Sequence, residues 1–197
     1  MMTLCSTDIF RRFAASTRGV AALEFAMVMP VVLVMLLSSY DAGNAIAVYL
    51  KVRAATYSLA AITNQYGIGN AAISTTIMPS ITGATSTILA PYSSTPVGVV
   101  ISQIKATSNT AAVVSWSYAT GTGLALNQGA AFALPTSFAG NTCGGTYPCY
   151  LIFAQVSYSF TPSFGSFLTG PITLSDSLYT TPRISTCIQY NSIPSSC

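Results

Sequence analysis

Residues 11–40 read RRFAASTRGVAALEFAMVMPVVLVMLLSSY, and the junction Arg18-Gly19-Val20-Ala21-Ala22-Leu23-Glu24-Phe25 divides them into two chemistries. Ahead of Gly19 the chain is basic, with Arg11, Arg12 and Arg18 against Asp8. Beyond it lies an apolar run of about 21 residues, 20–40, interrupted by a single carboxylate, Glu24. At about 1.5 Å per residue, a helix of that length just crosses a hydrocarbon core of about 30 Å. Positive residues ahead of the span hold the N-terminus in the cytoplasm, so everything after about residue 41 is expected to be exported. An ordinary secretory signal is cut after its apolar segment, whereas the small residue here, Gly19, precedes it. Cutting after Gly19 leaves the apolar run on the mature chain. The alternative is an uncleaved signal anchor, which the same charges would orient equally well.

Composition supports export. Of 197 residues, 51% are apolar and only 6% charged, against a usual charged share of about a quarter. The polar surface must therefore come from Ser, Thr, Asn, Gln and Gly. The formal net charge is +3, much of it in the leader; past Gly19, Lys51, Arg53, Lys105 and Arg183 stand against Glu24, Asp41 and Asp176, which leaves no basic footprint for nucleic acid.

Past the span, Asp41-Ala42-Gly43-Asn44 marks the interfacial exit, yet the chain keeps helical spacing. Val48, Val52, Ala55, Leu59 and Ile62 form one stripe, with Arg53 and Asn64 expected opposite it. One helix of about 45 residues is predicted, half in lipid and half on a head, ended by Gly67 and Gly69. Pro30 removes one helical hydrogen bond; it either packs in the bilayer or lets the helix bend. Residues 71–78 are read as a short helix stopped by Pro79. Residues 97–106 and 112–120 suit a hairpin, with Val114, Trp116 and Tyr118 on one buried face and Ser115 and Ser117 on a wet one. Residues 124–141 are a connection without a clear pattern. Residues 150–161 are the clearest strand, with Ile152, Ala154, Val156, Tyr158 and Phe160 on one face, and residues 172–181 form the last. The domain reading is a leader at 1–19, a helix at 20–66 that is transmembrane over about 20–41, and an exported α+β head at 67–197.

The sequence holds no His, so Ser-His and Cys-His pairs are absent. Beyond Glu24, the carboxylates Asp41 and Asp176 are too far apart to suggest paired acid–base chemistry. No glycine cluster has a nucleotide fingerprint. The chain reads as noncatalytic, without metal or cofactor. Of five cysteines, Cys5 lies in the leader; Cys143, Cys149, Cys187 and Cys197 are exported, an even set that suggests two disulfides. Three pairings exist, and the local one, Cys143 with Cys149 and Cys187 with Cys197, is preferred because each pair brackets a loop able to turn back. A zinc site is the rival, but Cys-x-x-Cys spacing is missing.

The order Gly19, four mostly apolar residues, Glu24 and Phe25 resembles the prepilin leader of type IV pilus systems, and more narrowly the TadE/TadG-like minor pilins of the tight-adherence (Tad) apparatus. Arg11, Arg12, Arg18, Ala26 and Pro30 fit the wider signature of that family. Residues 156–162, 172–174 and Pro182-Arg183 resemble the strand pair that ends many of its members. The resemblance implies a pilin-like α+β fold, a long N-terminal helix packed on a small antiparallel sheet. It also implies cleavage between Gly19 and Val20 by a prepilin peptidase, and a Glu24 carboxylate that pairs with the new α-amine of a neighbouring subunit, with Phe25 beside it. The alternative for Glu24 is a place at the headgroup level, facing the positive helix end. The partners implied are other pilin subunits and an inner-membrane assembly platform, with the head periplasmic or carried outward in a pilus for adhesion. A type II secretion pseudopilin and a bitopic envelope protein are the alternatives.

Overall fold

A computed structural model of the chain describes residues 19–135, 145–190 and 197. The leader through Arg18, Cys143 and the end of the 124–141 connection lie outside the described residues. The first element, α1 (Val20–Thr63), is an unbroken helix of 44 residues that continues past Pro30. At about 1.5 Å per residue it is a rod of roughly 66 Å. Its second half buries Val48, Val52, Ala55 and Leu59, the stripe expected from the 3.6-residue period, with Ile62 partly covered beside them. Thr56 and Thr63 join that face because each hydroxyl donates to the carbonyl four residues back, Val52 O at 3.0 Å and Leu59 O at 2.8 Å.

Two details at the helix end differ from the sequence reading. The helix stops at Thr63, ahead of Gly67 and Gly69, with Asn64 as its C-cap donating to Ala60 O. Asn64 is also not on the wet side. It is 2% exposed, because the end of the last strand reaches over the helix terminus and Asn64 Nδ2 donates to Thr180 Oγ1 at 3.0 Å.

The short helix expected at 71–78 is replaced by α2 (Ile77–Leu89), which begins where that one was to end. Pro79 falls in its first turn, where a backbone N–H has no helical acceptor, so proline starts this helix rather than stopping it. The Ser74 hydroxyl accepts the Ile77 N–H at 3.1 Å, and Met78, Ile81, Thr82, Thr85 and Leu89 form the buried stripe.

Five strands make one antiparallel sheet: β1 (Val97–Ala106), β2 (Ala112–Gly121), β3 (Ala131–Phe132), β4 (Cys149–Phe160) and β5 (Ile172–Thr180), ordered β3-β2-β1-β4-β5. The two-residue β3 lies within the 124–141 connection. β1 is central, pairing Val99 with both Thr120 and Val156. At Gly121 the backbone has φ +65° and a Cβ would lie 1.9 Å from Val97 O, so only glycine fits where β2 leaves the sheet.

The β1–β2 register slips between Gln103 and Ile104, where one extra residue on β2 forms a bulge. Its effect overturns the single buried face expected for Val114, Trp116 and Tyr118. Trp116 and Tyr118 face the helices, while Val114 points to the reverse side. Side chains alternate with period 2, so one inserted residue exchanges the faces beyond it.

The fold therefore has two apolar layers. The larger lies between the sheet and the two helices and contains Val48, Leu59, Ile81, Ile101, Trp116, Ile152 and Val156. The smaller lies behind the sheet, where Ile104, Val114, Leu151 and Phe153 meet Phe132 and Tyr179. A buried polar clasp holds the C-terminal segment on the helix side. Trp116 Nε1 donates to Ile188 O at 2.8 Å, and Gln103 Oε1 accepts the Ile188 N–H at 2.7 Å. The Cys187 to Cys197 disulfide closes this segment. Cys149 is disulfide-bonded too, and Cys143, its expected partner, lies outside the described residues.

Candidate membrane and assembly segment

The residues singled out around the cleavage junction all fall on the first half of α1, where residues 19–36 are all exposed. Gly19 occupies the N-cap position, and a Cβ there would meet no atom within 4 Å. Val20 is 52% exposed and Phe25 68%; Leu23, Met27, Val31, Val34, Met35 and Leu36 are exposed as well. Glu24 sits about one turn inside this surface, exposed and with no hydrogen-bond or ionic partner among the described residues. Pro30 lies among them with the helix unbroken around it, leaving the Ala26 carbonyl without its usual donor.

An uncovered apolar surface of this extent costs free energy in water, at roughly 25 cal/mol for each Å² left wet. A membrane core or packed neighbouring helices would cover it. The helix is long and apolar enough to cross a membrane, and the apolar window is not buried anywhere in the fold.

Asp41 marks where this exposed half ends. It is 8% exposed and accepts three backbone amides from the loop after β4: Ser163 N–H at 3.0 Å, Phe164 N–H at 3.0 Å and Gly165 N–H at 2.9 Å. The short helix α3 (Ser166–Thr169) follows that loop. Tyr40 packs edge-on against Phe164 with ring centroids 5.9 Å apart. The sequence marks Asp41 only as a polar exit residue. Its amide partners lie more than 120 residues away in an unremarkable loop, and nothing local to Asp41 signals them. A carboxylate that satisfies three amides of one loop fixes the axial position of the helix against the head.

Above that clasp α1 is two-faced. Opposite the buried stripe, Ile46, Tyr49, Leu50 and Tyr57 remain exposed. Arg53 lies over the Tyr57 ring at 5.7 Å, and the hydrogen bond and charge of Tyr57 hold its guanidinium above the ordinary arginine value. On another side, Lys51 Nζ donates to the Ala90 and Ile88 carbonyls at the end of α2, so one of the few cations of the head caps a helix terminus. Among the described residues, no group of His, Cys, Asp or Glu side chains is placed to hold a metal ion.

A continuous helix whose first half is bare and apolar and whose second half is built into a small α+β head is the architecture of a pilin-like chain. The family comparison gives the narrower class. Residues 19–60 match the model of the TadE-like protein family, a match consistent with a TadE-like protein of Tad pilus systems. No curated protein and no solved structure matches it.

Proposed function

We propose that the chain is a minor pilin or pseudopilin of a Tad pilus, noncatalytic, cut between Gly19 and Val20 by a prepilin peptidase, and active in pilus initiation, assembly or at the tip. The observation that carries this reading is the bare apolar half of α1 with one carboxylate, Glu24, that has no partner among the described residues, about a turn from its start. An intramembrane carboxylate is costly unless paired. Cleavage at Gly19 creates an α-amine on Val20, and in a filament of packed helices a neighbour's Glu24 would receive it. Removing either partner would strand a buried charge, which makes such a pair a strong register device.

The remaining parts take supporting roles. Basic residues before Gly19 orient the helix across the inner membrane with the head in the periplasm. Other pilin subunits and the assembly platform contact the exposed apolar half and the outward stripe of Ile46, Leu50 and Tyr57. A type II secretion pseudopilin or an uncleaved bitopic envelope protein is the competing reading. Intact mass of the membrane-extracted protein separates processed from unprocessed chains. A mature N-terminus at Val20 is expected, and any other N-terminus rejects the prepilin assignment.

A further inference from the structure

Gly83 sits in the interior of α2, where glycine is unfavourable relative to alanine. Packing does not require it, because a Cβ at this position would meet nothing within 4 Å. Gly83 is exposed, and it is one of the residues lining a cavity of about 210 Å³ between α2 and the end of the sheet where β1 begins and β2 leaves. We propose that this cavity binds a neutral sugar, one ring or the end of a chain.

The lining defines the ligand. It holds no carboxylate, ammonium or guanidinium, so a charged ligand would enter without a counter-ion and lose its hydration uncompensated. Thr82 and Thr85, both buried at its wall, have committed their hydroxyl protons to the backbone, Thr82 to Met78 O at 3.2 Å and Thr85 to Thr82 O at 2.6 Å. They offer lone pairs only. The hydroxyls of Tyr118, Ser94 and Thr120 bond no described residue and can donate or accept. Tyr118 also brings an apolar ring beside its polar tip. A ligand that fits must be uncharged, must donate and accept through several groups at once, and must be smaller than the contents of pockets of about 300–1,000 Å³ that take drug-sized molecules. A single sugar ring meets all three conditions. The inference does not depend on processing at Gly19 or on pilus assembly.

Saturation-transfer NMR on the full chain, held in a detergent without a sugar headgroup, tests this with glucose, galactose, mannose and N-acetylglucosamine at millimolar concentration. Transfer to at least one sugar is expected. Gly83→Gln should weaken it by about tenfold or more, with the thermal melt unchanged or raised, since the new side chain stands at the lining of the cavity and replaces an unfavourable helix glycine. Tyr118→Phe keeps the ring and should cost severalfold. Should Gly83→Gln disturb the fold, Thr120→Val at the exposed rim provides the same comparison. Transfer to none of the four sugars, or transfer that the cavity-filling variant leaves unchanged, overturns the proposal and leaves the cavity as a solvent pocket.

Discussion

Asp41 Oδ2 accepts the Gly165 N–H at 2.9 Å, joining residues 124 positions apart at the level where the bare half of α1 ends. Asp41→Ala removes the acceptor for three amides at once, and the 163–165 loop should detach before the rest of the head. Hydrogen exchange should quicken at Ser163, Phe164 and Gly165, while amides in β1 and β4 stay protected. Asn, which keeps one oxygen acceptor, should fall between the two. Equal exchange in wild type and Asp41→Ala would remove the positioning role.

Glu24→Gln keeps the size and polarity of the side chain without its charge. Cleavage to Val20 should continue, because the proposed processing at the junction precedes any subunit pairing, whereas incorporation into pili should fail. Electron microscopy and mass of the mature chain read the two outcomes separately. Normal pili from this variant would dismiss the Glu24 to α-amine pair.

Gln103 and Trp116 together hold Ile188 by its N–H and its carbonyl, and both side chains are fully buried. Gln103→Leu has a similar volume but leaves the Ile188 N–H without its acceptor, a loss of about 1–3 kcal/mol. Trp116→Ala opens the core as well and should cost about 3–5 kcal/mol. Urea unfolding measures both. If Gln103→Leu proves as stable as wild type, the amide finds another acceptor and the clasp is not needed.

Cys187 and Cys197 close a loop with a sequence separation of 10. On the chain-entropy estimate, Cys197→Ser should lower stability by about 2–3 kcal/mol. Reductant should then affect the variant less than the wild type, since one of its bonds is already gone. The denaturant midpoint with and without reductant gives the comparison.

What could be read in advance follows from how local each signal is. The stripe from Val48 to Leu59 and the alternation from Ile152 to Phe160 repeat with the period of their own element, so their faces were plain from the chain. Val114 lies on the face opposite to the expected one because a bulge depends on the register between two strands, and no pattern within either strand records it. Pro79 is as compatible with a first turn as with a stop, and only the stripe from Met78 to Leu89 decides between them. Asp41 and Gln103 are the clearest gaps: each is a lone polar residue whose meaning lies in backbone groups more than 80 residues distant. The roles proposed for Gly19 and Glu24 rest on motif spacing, and the structure adds their exposure.

The unbroken passage of α1 through Pro30, with Asp41 seated in the head, makes the helix a crank as well as an anchor. With 3.6 residues per turn, each residue added or removed between Glu24 and Asp41 would turn the head by about 100° about the helix axis and shift it by about 1.5 Å. The number of residues between the two carboxylates therefore sets which side of the head, and with it the mouth of the Gly83 cavity, looks outward from whatever the apolar half is packed into.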